Sequence, residues 1–183
     1  MPIFKTKIKT EAFAAVTAII VSACALGVSF YEVRIMRAQQ KSMVWPHVLM
    51  GQQYDGDGFA LEAYNKGVGP AMVESLKLWV DNKPMNSLNQ VLDTILGEGH
   101  GIDWNNYSIH NVNGNVLESG YELPMVRFSW NDQTRKLQKR LGRIRIEMIY
   151  KSIYDDCWKV TFGTNPEPCD CPAEKIASEQ FSF

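Results

Sequence analysis

The run from Ala12 to Phe30 limits this chain more than any other feature, because no residue in it carries a charge. About 19 residues at roughly 1.5 Å each approach the roughly 30 Å hydrocarbon core of a bilayer. The run predicts a transmembrane helix over residues 12–31, behind a basic leader over residues 1–11 that contains Lys5, Lys7 and Lys9. Arg34, Arg37 and Lys41 follow the run, so basic residues flank it almost evenly and charge alone does not orient it. The short basic leader reads as a signal-anchor, and cysteines near the C-terminus suit an oxidising compartment; both favour a cytoplasmic N-terminus. Val21-Ser22-Ala23-Cys24 also fits a lipoprotein cleavage box, and Ala23-Cys24-Ala25 an ordinary signal-peptidase site. The apolar run continues past both through Leu26, Val28 and Phe30, so the expectation is a retained anchor.

Along the predicted helix, Ala14, Ala18, Ser22, Ala25 and Ser29 recur at steps of four or three and share one stripe. Small residues let helix backbones approach closely in lipid, so the stripe is a candidate contact with a partner helix or a second copy; small residues are also common in spans generally. Tyr31 to Val44 holds no Gly or Pro, which predicts that the helix runs on as a stalk over residues 32–44. It should stop near Trp45, because the residue before Pro46 is pushed out of the helical region.

Beyond Pro46 the apolar period changes from helical to alternating. Phe59, Leu61 and Ala63 fall on one face and Glu62 and Tyr64 on the other, as in a half-buried strand. Leu76, Leu78 and Val80 repeat the pattern, as do Val126, Phe128 and Trp130, then Ile144, Ile146, Met148 and Tyr150, then Trp158, Val160 and Phe162. The last two runs read as a hairpin around Asp155-Asp156. Asp55-Gly56-Asp57-Gly58, Asn65-Lys66-Gly67, Asp81-Asn82-Lys83-Pro84, Asn113-Gly114 and Glu118-Ser119-Gly120 read as turns. Two helices interrupt the strands. The first has Ser87 and Gln90 as a capping box, Leu88, Val91, Leu92, Ile95 and Leu96 as its apolar face and Gly97 as its stop. The second covers about Asp132 to Leu141. The expectation is a mainly β domain over residues 45–165 with two short inserted helices, and a C-terminal tail over residues 166–183.

Asn65-Lys66-Gly67-Val68-Gly69-Pro70-Ala71 resembles the N-x-G-x-G-P-A turn of many bacterial immunoglobulin-like domains. With Trp45-Pro46 after the anchor, and the hairpin Tyr150-Lys151-Ser152-Ile153-Tyr154-Asp155-Asp156-Cys157-Trp158, the chain resembles a group of uncharacterised bacterial single-pass membrane proteins. The resemblance spans roughly Arg34 to Trp158. It implies an immunoglobulin-like β-sandwich on the periplasmic side of a bacterial inner membrane, and it carries no activity. Members of that group often have a further cysteine beside the Tyr-x-Ser, where this chain has Ile149 and Lys151, so no cross-hairpin disulfide follows from it.

The net charge of −1 offers no basic excess for nucleic acid. Cys24 lies in the apolar run, leaving Cys157, Cys169 and Cys171. A disulfide from Cys157 to one of the other two is the simplest reading; reduced thiols, or a soft metal on Cys169-Asp170-Cys171 with Cys157, are the alternatives. Arg135, Lys136, Lys139, Arg140, Arg143 and Arg145 form a dense basic cluster that could meet an anionic partner or be a solvated helix face. His47, His100 and His110 fall in no nucleophile or zinc motif, and Asp55, Asp57 and Asp103 lack the further ligands of a calcium loop. No residue pattern specifies a cofactor or a reaction. The sequence therefore points to a membrane-anchored, non-enzymatic interaction module with the bilayer and a protein partner as its contacts. The alternative is an extracytoplasmic module that captures a small ligand or metal.

Overall fold

The computed structural model describes residues 4–172 and 180–181. The chain divides into two compact units, Met1–Ser42 and Met43–Phe183. The first is helix α1 (Phe4–Met43), whose 40 residues would extend about 60 Å. Predicted span and stalk are one unbroken helix. Its apolar side chains lie open, Phe13 at 74%, Ile19 at 68% and Phe30 at 71% exposure. Thr17 and Ser22 donate their hydroxyls to the carbonyls of Phe13 and Ala18 at 2.9 and 2.7 Å, so neither hydroxyl needs a partner outside the helix.

Among the described residues, the second unit has ten strands and two α-helices: β1 (Val48–Tyr54), β2 (Gly58–Asn65), β3 (Ala71–Val80), β4 (Lys83–Met85), α2 (Leu88–Leu96), β5 (Tyr107–Ile109), β6 (Val116–Leu117), β7 (Glu122–Ser129), α3 (Asp132–Lys139), β8 (Ile144–Lys151), β9 (Cys157–Thr161) and β10 (Glu167–Cys169). They form two antiparallel sheets. One runs β1-β2-β7-β5; the other runs β10-β9-β8-β3-β4, with β6 added beside the start of β3. Leu61, Val126 and Phe128 from the first sheet meet Leu78 and Ile146 from the second and Leu88, Leu92 and Leu137 from the helices in one core. Alternation explains this: Leu76, Leu78 and Val80 are buried on β3, and Ile146, Met148 and Tyr150 on β8.

Several boundaries differ from expectation for local reasons. The turn after β3 is only Asp81-Asn82, both with left-handed φ (49° and 65°), so Lys83-Pro84 begins β4 instead. Ser87 accepts from the Gln90 N–H, but the Gln90 side chain accepts from the Asn86 N–H, so the capping bonds are shared with the preceding residue. Helix α3 ends at Lys139 and a 3-10 turn, Leu141–Arg143, leads into β8. Its start is a reciprocal Asn131–Thr134 capping box that the sequence reading missed. The tail is not a tail throughout: β10 joins the second sheet, and Phe181 is fully buried in the core.

The N-x-G-x-G-P-A segment is where the chain leaving α1 is fastened to the domain. Asn65 ends β2 fully buried, and its side chain makes four hydrogen bonds. The amide donates to the carbonyls of Gly69 (2.7 Å) and Leu117 (3.0 Å), and its oxygen accepts from the N–H groups of His47 (3.1 Å) and Gly67 (2.9 Å). Val68 and Gly69 both donate to the Trp45 carbonyl, and Lys66 to that of His47. The strand entry is held too, since the Val48 N–H donates to the Tyr150 hydroxyl at 3.1 Å, joining β1 of one sheet to β8 of the other. Burial pushes the Tyr150 hydroxyl up to about 12, so it stays protonated at any working pH.

At the other end, Phe181 donates its N–H to the Leu76 carbonyl (2.8 Å) and accepts from the Asn113 amide (2.6 Å), while Gln180 bonds Leu76 and Ser75 beside an irregularity in the β3–β8 register. Truncating a fully buried Phe leaves a cavity. Phe181→Ala should therefore destabilise the domain by about 3–5 kcal/mol in urea unfolding. A loss below about 1 kcal/mol would show that the C-terminal segment does not contribute to the core in solution.

Candidate functional site

The three cysteines outside the apolar run meet at one edge of the second sheet. β9 and β10 pair antiparallel with Cys157 opposite Cys169, which puts their side chains on the same face of the sheet. The bond, however, joins Cys157 to Cys171, two residues further on, with Cα atoms 5.4 Å apart. Cys169 keeps a free, half-buried thiol. An open groove of about 410 Å³ runs over the three, walled by Trp158 and Pro168 and by Asp155, Asp156 and Asp170.

The turn on its other side is rigidly tied. Asp155 takes a left-handed φ of 57°, Ser152 donates its N–H to the Asp156 carbonyl, and the Ser152 hydroxyl accepts from the Tyr154 N–H. Lys151 pairs with Glu74 at 3.3 Å and with Asp155 at 3.0 Å. Burial pushes the Cys169 thiol up, Asp170 and Glu147 add to the shift, and Lys159 opposes it. A neutral thiol is a poor nucleophile and a poor metal ligand. With Cys157 and Cys171 joined, Cys169 is the one thiolate the groove could offer. Among the described residues no group of three or more His, Cys, Asp or Glu is placed to hold a metal.

The basic cluster is largely occupied within the domain. The Arg135 guanidinium lies 4.8 Å from the Trp130 ring centre and that of Arg145 4.2 Å from Trp79. Arg140 donates to the Ile95 carbonyl at 2.6 Å, and Arg143 forms an ion pair with Asp81 that lowers the Asp81 carboxyl. Lys136 and Lys139 stand exposed on α3. Stacked and paired arginines contribute to folding here, each stack by about 0.5–1 kcal/mol at an exposed site.

The remaining candidates are not brought together. His47 packs against Trp45 with its ring tilted (4.9 Å between centres), His100 accepts from the Ile102 N–H and lies 3.6 Å from Asp93, and His110 sits 2.9 Å from the Pro124 carbonyl. Asp55 turns β1 into β2, accepting from the N–H groups of Asp57 and Gly58 and pairing with Arg127, which holds its carboxyl low. Asp103 caps a turn. Ala14, Ala18, Ser22, Ala25 and Ser29 are exposed along α1. Comparison of the chain with protein-family models, curated proteins and solved structures found no match. The sequence reading marked Asn65 as the first residue of the N-x-G-x-G-P-A turn, a structural corner between two strands, but not the four bonds its buried side chain makes two residues before Gly67.

The cysteine geometry is checked by digesting unreduced protein and identifying the linked peptides by mass spectrometry. Cys157 should be found bonded to Cys171, with Cys169 free; a Cys157–Cys169 link would contradict the placement. Replacing Cys157 and Cys171 together by Ser should cost about 3 kcal/mol, as expected for a loop of 14 residues.

Proposed function

We propose that this chain is a membrane-anchored, non-enzymatic interaction module, an accessory or scaffolding subunit of a membrane complex. The observation that carries the reading is the open apolar surface of α1. The stretch Thr10–Met43 contains a window of mean hydropathy 2.2, none of it buried. Each large apolar side chain left in water forfeits roughly 1.5–3 kcal/mol of burial, so the helix must be covered from outside. Lipid covers most of it. The small-residue stripe from Ala14 to Ser29 is the face on which a partner helix would come closest.

In this reading α1 crosses a bacterial inner membrane with its N-terminus in the cytoplasm, and the β domain is an immunoglobulin-like sandwich in the periplasm. The strand order supports the fold part. β1-β2-β7-β5 corresponds to the A-B-E-D sheet of that architecture, and β4-β3-β8-β9 to its C′-C-F-G sheet. The disulfide departs from it, tying β9 to the following segment instead of joining strands B and F. It supports an oxidising compartment all the same.

A second reading, an extracytoplasmic module that captures a small ligand, is favoured by the groove over the cysteines. The two separate in one experiment. Purifying the tagged chain from its own membranes in mild detergent should yield a stoichiometric partner chain or a defined homo-oligomer. A solitary monomer would overturn the subunit reading.

A further inference from the structure

We propose that an exposed aromatic shelf formed by Trp104 and Tyr107, beside the start of α2, binds a neutral pyranose glycan. Trp104 is 74% exposed, as open as Phe13 on the membrane helix. A Trp in water gives up burial for no folding gain, and here the backbone holds it there. The Asp103 N–H donates to the Asn106 side chain (3.0 Å), the Asp103 carboxylate accepts from the Asn105 N–H (2.9 Å), and the Asn106 N–H returns to the Asp103 carbonyl (2.9 Å). The ring is also backed by others. Trp104 packs on Tyr107 (5.4 Å between centres), Tyr107 on Phe128 (6.0 Å) and Phe128 on Phe59 (5.1 Å), so the shelf is the outer end of an aromatic ladder rooted in the core.

Beside these rings lies a groove of about 200 Å³ lined also by Asn86, Ser87 and Asn89 and by the apolar Leu88 and Ile109. Among the described residues, none that lines it is charged. A pyranose ring offers a patch of C–H bonds on one face and hydroxyls around its rim. Trp and Tyr rings match the first, and side-chain amides, which both donate and accept, match the second. A phosphorylated, sulfated or acidic ligand would find no countercharge in this groove. The hydrogen bonds of the turn position the Trp104 ring before a ligand arrives, which lowers the ordering cost of binding.

This site is separate from the subunit reading and takes from it only the extracytoplasmic side on which such glycans are met. Binding by purified protein does not depend on that topology, so either can fail alone. The test is titration calorimetry of the full chain in lipid nanodiscs with cellotetraose and with tetra-N-acetylchitotetraose. Saturable binding to at least one sugar is expected, weakened about tenfold or more by Trp104→Ala and partly retained in Trp104→Phe. Near-UV circular dichroism of both variants checks that the fold is kept. No saturable binding of either sugar up to about 10 mM, or equal affinity in Trp104→Ala, would overturn the proposal. Loss of a co-purifying protein in Trp104→Ala, with neither sugar bound, would make the shelf a protein interface and overturn it as well.

Discussion

Where the chain leaves α1 it lies against Gly67 and Gly69 so closely that neither position has room for a side chain. A Cβ on Gly69 would overlap the Val44 carbonyl, and one on Gly67 would overlap the backbone of Trp45, Pro46 and His47. This close crossing, locked by the four bonds of the Asn65 side chain, sets where the domain begins. It delivers Val48 to the Tyr150 hydroxyl and so fixes how the first strand of one sheet meets a central strand of the other. An amide with all four bonds made inside a protein rigidifies what it joins; a partner lost would leave several backbone groups buried and unpaired.

The rest of the domain closes around that point with segments whose roles are long-range. Phe181 returns from the C-terminal end to fill the core beside β3, and the Cys157–Cys171 bond holds β10 to β9. Arg135, Arg140, Arg143 and Arg145, so dense in sequence, spread to Trp130 ahead of α3, Ile95 on α2, Asp81 in the turn after β3 and Trp79 on β3. Among the described residues, the apolar helix, the groove over the cysteines and the shelf at Trp104 stay open to the outside.

Signals carried by near neighbours were legible in the sequence. The charge-free run announced α1, alternation announced β2, β3, β7, β8 and β9, and Ser87 with Gly97 bounded α2. Strands without a clear period were not. β1 alternates only over its first half, its far end being exposed, and β5 and β6 have three and two residues. β10 and Phe181 sit in a polar stretch where nothing local shows that a distant sheet will receive them. The cysteine pairing was open for the same reason: spacing allows Cys169 or Cys171, and only the path of β10 places the second sulfur at Cys157. In the basic cluster, like charges looked like a surface because the partners of Arg140, Arg143 and Arg145 lie far away in the chain.

The crossing at Gly69 fastens the start of the domain, and a pair of glycine variants tests this directly. Gly69→Ala is measured against Gly56→Ala by urea unfolding, together with amide exchange at Val68 and Gly69. Neither glycine has a left-handed φ, and a Cβ on Gly56 meets nothing within 4 Å. Gly69→Ala should lose about 1–3 kcal/mol or more and the protection of both amides, while Gly56→Ala stays within about 0.5 kcal/mol of the parent. Equal stability of the two variants, with protection intact at Val68, would contradict the account.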